Sequence, residues 1–265
     1  MLNDLSLVCK TPTSRSREFN SMHRALLHFL TAAGFLTRLA PARGVQPEEM
    51  GFSLRLFPLV GLAMGLVLTI PWFLGLLGQH PWIQALLWLA GALWMTRGLH
   101  WDGWVDLWDA WGSGARDEHF WEVLKDSRMG AFGGMGLFMG LAGCLILLHN
   151  VFQQQDWGLL VWTPVLGRAA APVLAWMGRD LQRPGLAGIF LNAASNRCLV
   201  ITTIQAVLLG LLFIPAKTML LAGAFLLGGL LFLARLAKNN TGMNGDFLGS
   251  AIIWGEISAL LAGAL

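Results

Sequence analysis

Long uncharged stretches alternate with short charged ones along most of this chain. From Leu56 to Thr96 there is no Asp, Glu, Lys or Arg, and the run is divided only at Gly78-Gln79-His80-Pro81. That is room for two membrane-crossing helices, since one needs roughly 20 mostly apolar residues. Met129 to Gln155 is another uncharged run, and Trp157 to Met177 carries one charge, Arg168. Cys198 to Leu233 carries only Lys217, beside Pro215, and reads as two spans with a tight turn. Phe247 to Leu265 carries only Glu256. These runs predict about seven spans. His23 to Leu39 is either an eighth or a helix lying in the interface. Backbone polar groups must be satisfied internally in lipid, so segments this long are predicted to be helical. The expected fold is all-α: a polytopic integral membrane protein of about 7–8 transmembrane helices with an acidic cytoplasmic loop or interfacial helix.

Composition supports this pattern. Of 265 residues, 55% are hydrophobic and 12% charged, with a mean hydropathy of +0.60. Soluble domains carry about 25% charged residues, so that class is excluded. Residues 1–22 are polar, with Lys10, Arg15 and Arg17 among Ser and Thr, and lack the apolar core of a secretory signal. They predict a mobile tail ahead of a single transmembrane catalytic domain at 23–265. Cys9, Cys144 and Cys198 have no metal-ligand or redox spacing and predict reduced thiols.

Charge then orients the spans. The connecting segments fall into two alternating sets, one holding 38–55, 97–128, 179–197 and 235–249, the other 78–82, 149–156 and 214–217. Twelve of the 18 Lys and Arg lie in the first set and only Lys217 in the second. Short loops rich in Lys and Arg stay cytoplasmic, so the first set is expected on that side.

Seven of the 15 acids lie between 102 and 126, inside the first set. Asp102, Asp106 and Asp109 are spaced i, i+4, i+7, which on a helix confines them to an arc of roughly 60°. Trp101, Trp104, Trp108 and Trp111 fall on the opposite side, a pattern suited to a membrane boundary. Three carboxylates on one face need a cation between them, and a hard divalent ion, Mg²⁺, matches that ligand set together with substrate phosphates. A solvated face beside a Trp anchor is the plainer reading. Next comes Lys125-Asp126-Ser127-Arg128-Met129-Gly130, which adds phosphate-binding side chains and a further acid. The glycines from Gly130 to Gly134 are expected to leave backbone N–H groups free for an anion at a helix start. Asn244-Gly245-Asp246 opens the last span and offers another ligand in Asp246. Arg168 is costly within a span unless paired and is a functional candidate by default. Because it lies between Pro164 and Pro172, a broken helix is expected there.

Several segments resemble the cobalamin synthase (adenosylcobinamide-GDP ribazoletransferase) family. Its pattern G-x-H-x-D-G-x-x-D-x-x-D, followed by K-D-S-R-x-G, is matched by Gly98 to Asp109 and by Lys125 to Gly130. Phe35 to Leu39, Phe57 to Gly61, and Gly245 to Gly249 with Glu256 are also similar, so the likeness runs from residue 35 to 256. Ala110 stands where the family usually has Gly, and Thr241 and Asn244 replace Gly and Thr. The resemblance implies a Mg²⁺-dependent transfer in which a hydroxyl of α-ribazole, or of its 5′-phosphate, attacks the diphosphate of adenosylcobinamide-GDP and GMP leaves. It also implies lipid and these small molecules as partners, with no nucleic acid; a homo-oligomer is compatible.

Phosphoryl transfer is mostly positioning and charge neutralisation, and the residues meet that demand. Asp102, Asp106, Asp109 and Asp126 are the candidate catalytic and metal-binding acids, with Asp246 as a further ligand. Arg38, Lys125, Arg128 and Arg168 are candidate phosphate contacts, while His100, Ser127 and Asn244 are candidate substrate-binding groups. A CDP-alcohol phosphatidyltransferase is the nearest alternative, but its Asp-Gly is followed by Ala-Arg at a spacing this chain lacks. A transporter subunit, the other alternative, would place its acids along a midplane pore.

Overall fold

A computed structural model describes residues 14–78 and 80–265, with side chains from His23 onward. The helices in chain order are α1 (Ser14–Leu36), α2 (Pro47–Ser53), α3 (Phe57–Phe73), α4 (Pro81–Thr96), α5 (Leu99–Gly112) and α6 (Asp117–Lys125), then α7 (Ala131–Gln154), α8 (Trp157–Met177), α9 (Ala187–Ala193), α10 (Asn196–Phe213), α11 (Ala216–Asn239) and α12 (Gly245–Gly263). The expected tail at 1–22 falls mostly outside the described residues.

The fold is all-α and polytopic. Six helical segments are long and apolar enough to cross a membrane: Pro47–Phe73, α7, α8, α10, α11 and α12. Uncharged α4 is shorter, at 16 residues. At 1.5 Å per residue it spans about 24 Å, less than the ~30 Å hydrocarbon core.

Helix α8 forms the centre, buried from Leu159 to Pro172. Lipid supplies no hydrophobic drive between helices, so close packing of small residues takes that role. Gly61 and Gly65 seat α3 directly on the α8 backbone at Pro164 and Val161, and Gly255 does the same for α12 at Gly167. Contrary to the expected break, α8 runs unbroken through Pro164 and Pro172. Neighbouring helices on several sides hold it, the usual condition under which prolines are accommodated in a span.

The two sets of connections separate to opposite ends. At one end Trp82 stacks on His149 at 3.8 Å, Gly158 abuts the Phe213 carbonyl, and Lys217 Nζ donates to the Leu265 carbonyl at 3.1 Å. At the other, the Asp117 N–H donates to Asn240 Oδ1, the Trp121 indole donates to the Asn240 carbonyl, and Arg183 pairs with Glu118. Met243 and Leu181 are joined there by a backbone hydrogen bond of 2.6 Å. The basic segments therefore share one end of the bundle.

Candidate active site

Helix α5, which carries the spaced acids, begins almost where α4 stops. Arg97 and Gly98 both adopt left-handed backbone (φ 59° and 69°), and the Gly98 N–H closes back on the Leu93 carbonyl. The next helix then wedges between α7 and α12 rather than lying on the surface. Its tryptophan face is spent on packing: Trp101 and Trp104 are buried against Gly136 and Gly140 of α7, and the Trp104 indole donates to the Gly136 carbonyl at 3.0 Å. This corrects the headgroup reading of those two residues. A glycine stripe presents flat backbone on which indole rings can lie. Trp111 alone of the four is well exposed.

The opposite face meets α12. A Cβ at Gly103 would lie 2.7 Å from Asp246 Cα, so only glycine lets the two helices come this close. Ser250 Oγ ties the contact by donating to the Gly103 carbonyl at 3.1 Å. Asp246 is thereby delivered to the acids of α5. Asn244 fixes its carboxylate, donating from Nδ2 to Oδ2 at 2.6 Å while its own Oδ1 caps the Asp246 N–H. Asn244 thus orients Asp246. Asp106 registers the crowding: burial, then Asp246, Asp102 and Asp109, push its carboxyl up to about 7.

Asp109 has a different task. Its Oδ2 accepts from the Gly130 N–H and its Oδ1 from the Gly133 N–H, both at 2.7 Å. The start of α7, expected to be open to an anion, is already filled by this carboxylate, which meets the orphan N–H groups and the positive end of the helix dipole. Asp109→Ala is expected to cost about 2–3 kcal/mol, since two nearly buried donors lose a charged acceptor, read as a lower unfolding midpoint in detergent. Asp109→Asn keeps one acceptor oxygen and should lose about half as much. A stable Asp109→Asn protein needing much more Mg²⁺ would instead make Asp109 a ligand.

Asp126 is not drawn into this group. Arg128 Nη2 and Nε donate to it at 2.7 and 3.0 Å, as does the Arg128 backbone N–H at 3.0 Å. The pair is solvent-facing, and its side-chain and backbone hydrogen bonds hold Asp126 down at about 2. The neighbouring Lys125 is exposed at the end of α6. Arg38 is exposed over the Trp94 ring at 5.3 Å, with Nε donating to the Trp94 carbonyl. Arg168 is wholly buried and paired with Glu256, inside the bundle rather than at the acid cluster's surface. His100 is buried beside Gly249, with its pKa held well below the usual value by burial and then by Arg168 and Arg97. Arg97 was not singled out in the sequence. It donates to the carbonyls of Gly34, Phe35 and Thr37 at the end of α1, and its only signal is its place just before Gly98-Leu99-His100.

Two cavities meet at Asp102. The larger, about 720 Å³, is open and lined by Arg97, Trp101, Asp102, Asp106, Ser127 and Met129. The smaller, about 190 Å³, has Asp102 and Asp246 at its polar side and Phe35, Phe57 and Phe190 among its walls. Among the described residues no three acid, histidine or cysteine side chains form a ready-made metal cage. Mg²⁺ does not need one, because it keeps waters and is held by one or two carboxylates plus substrate phosphates. Clustered carboxylates beside an open cleft fit it.

The sequence profile described as Cobalamin-5-phosphate synthase matches residues 28–264. A protein of Nitratidesulfovibrio vulgaris (strain Miyazaki F) named adenosylcobinamide-GDP ribazoletransferase is 46% identical over 230 residues, 87% of this chain and 92% of the relative. Its namesake in strain DP4 is 42% identical over 240 residues, 91% and 98% of the two chains. One from Brevibacillus brevis is 32% identical over 241 residues, 88% and 96%. Nothing among solved structures matches the chain.

Proposed function

From the premise that this chain belongs to the cobalamin-5-phosphate synthase family, a family of transferases, we propose that it joins adenosylcobinamide-GDP to α-ribazole or α-ribazole 5′-phosphate with release of GMP, using Mg²⁺. The observation that carries this reading is the convergence of Asp102, Asp106 and Asp246, with Asp102 and Asp106 on the open cleft and Asp102 and Asp246 on the cavity beside it, where burial first and the neighbouring carboxylates next push Asp106 up to about 7. A diphosphate adds further negative charge beside these carboxylates, so a cation must lie between them. Asp102, Asp106 and Asp246 would hold Mg²⁺, which neutralises charge on the transferring phosphate.

The protein's own work is then positional. The donor lies in the large cleft with its diphosphate toward Asp102 and Asp106, and Arg97 and Ser127 on the lining contribute donors to phosphate oxygens. The acceptor hydroxyl attacks the phosphorus attached to the corrinoid, and its proton passes to a carboxylate of the cluster. The bond to the GMP oxygen breaks, and GMP departs with the electron pair. Asp109 and Asn244 touch no substrate in this scheme and keep α7 and Asp246 in place. The basic end of the bundle faces the cytoplasm of a bacterial inner membrane, as the distribution of Lys and Arg supports.

Purified protein incubated with both substrates and Mg²⁺ should release GMP, read by chromatography, and release should stop with excess chelator. CMP-releasing activity on a CDP-alcohol donor, with none on adenosylcobinamide-GDP, would overturn the reading. Asp102→Asn is expected to raise the Mg²⁺ concentration for half-maximal rate by at least about tenfold; an unchanged Mg²⁺ curve would remove Asp102 from the metal site.

A further inference from the structure

The two cavities adjoin at Phe35, Leu99 and Asp102 but differ in size and in the polarity of their linings. The open cleft is wide and partly polar, whereas the smaller cavity is closed in by Phe35, Phe57 and Phe190, with Ile252 and Ala171 completing an apolar lining. Its three phenyl rings are mutually packed, with centroids 5.1 to 6.3 Å apart. Polar groups occur only at one side: Asp102, Asp246 and the imidazole of His100, whose buried Nε2 has no protein hydrogen-bond partner. A slot with aromatic walls and carboxylates at one edge suits a flat apolar ring joined to a hydroxylated group. Aromatic stacking holds the ring, and the carboxylates meet the hydroxyls. Size agrees, since an apolar cavity of about 150 Å³ accepts benzene and this one measures about 190 Å³, room for a fused two-ring system.

We propose that this smaller cavity is the acceptor subsite, which takes the benzimidazole ring of ribazole against the aromatic wall formed by Phe35, Phe57 and Phe190 and directs the ribose hydroxyls to Asp102 and Asp246. The inference rests on the proposed reaction, whose two substrates differ in the same sense as the two cavities. The bulky, charged donor requires the wide cleft, and the small apolar base the narrower slot. Asp102, on both linings, stands where the hydroxyl of one must meet the diphosphate of the other. A ring nitrogen at the polar side would also give His100 Nε2 a partner. Leu186 and Ala187, at the start of α9, stand at the slot and fix how large a base it admits.

The test uses the purified full chain and two variants, Phe190→Leu, which removes a wall ring, and Ala187→Phe, which fills the slot without deleting packing. Both should raise the KM for ribazole about tenfold, the size of one lost aromatic contact, while kcat and the KM for adenosylcobinamide-GDP stay within twofold. Ala187→Phe should penalise the dimethylated base more than unsubstituted benzimidazole riboside. A rise in the donor KM alone, or an equal rise in both, would overturn the assignment. Equilibrium dialysis of ribazole without donor keeps this apart from the reaction itself. Binding to wild type that is lost in Ala187→Phe supports the slot even where no GMP is released. Absent binding, or binding unchanged in both variants, overturns it even where GMP is released.

Discussion

Glu256→Leu should be the most damaging single substitution in the bundle, at about 3–5 kcal/mol, because it leaves the guanidinium of Arg168 buried without a counter-charge. Arg168 is completely inaccessible at the middle of α8, and its Nη1 meets Glu256 of α12. Neither Nε nor Nη2 has a protein hydrogen-bond partner, so Glu256 supplies nearly all the compensation. The expected result is a steep fall in folded yield and unfolding midpoint. Arg168→Met/Glu256→Leu removes both charges, keeps most of the volume and should return the midpoint close to that of wild type, since replacing a buried pair by apolar residues is often neutral. A double variant as unstable as the single would refute the ion-pair account. Should a well-folded double variant show a donor KM more than about tenfold higher, a loss of about 1.4 kcal/mol, Arg168 would be a phosphate contact after all.

Gly103→Val should be the most damaging change to catalysis that removes no functional group. The added side chain would collide with Asp246 at its Cα and carbonyl, and the Ser250 hydroxyl bond to the Gly103 carbonyl would be stretched. Backbone cannot yield as a flexible side chain does, so α12 must move. A shift of about 1 Å at a reacting constellation costs on the order of 100-fold in rate. The loss is expected in kcat together with a weaker Mg²⁺ response, because Asp246 leaves the cluster while every carboxylate is still present. Gly103→Ala should give a smaller loss of the same kind. If Gly103→Val folds and turns over at the wild-type rate, α5 and α12 need not be in contact for the reaction.

Much of this architecture is legible in the sequence because lipid enforces a simple rule. Uncharged runs must be helices, and the sides of their connections follow from where Lys and Arg lie. The i, i+4, i+7 spacing likewise placed Asp102, Asp106 and Asp109 on one face. Three-dimensional pairing was less accessible. Glu256 lies 88 residues from Arg168, and nothing local announces the bond. Asp109 shares its helix face with Asp106 but is claimed by α7, through Gly130 and Gly133, which depends on how two helices meet. Asp126 is the instructive case. An Asp whose side chain accepts the N–H two residues on is a local turn signal, and Asp126-Ser127-Arg128 carries it plainly. That turn faces the Asp126 carboxylate toward Arg128 rather than toward the acids of α5.

Helix α12 supplies both Asp246 to the acid cluster and Glu256 to Arg168, and it is made after every other described helix. Ribosomal synthesis therefore inserts α8 with a bare arginine at its centre, at a penalty of about 2.5–3.5 kcal/mol on insertion scales. The counter-charge emerges only 88 residues later. Until then α8 depends on its hairpin with α7 and on the flat contact with α3. A nascent chain halted before α12 would hold an unpaired charge in lipid and an unfinished set of carboxylates, exposed to quality control and inactive. The same event that neutralises Arg168 brings Asp246 to Asp106, so under the proposed reaction chemical competence would arrive only once α12 has docked.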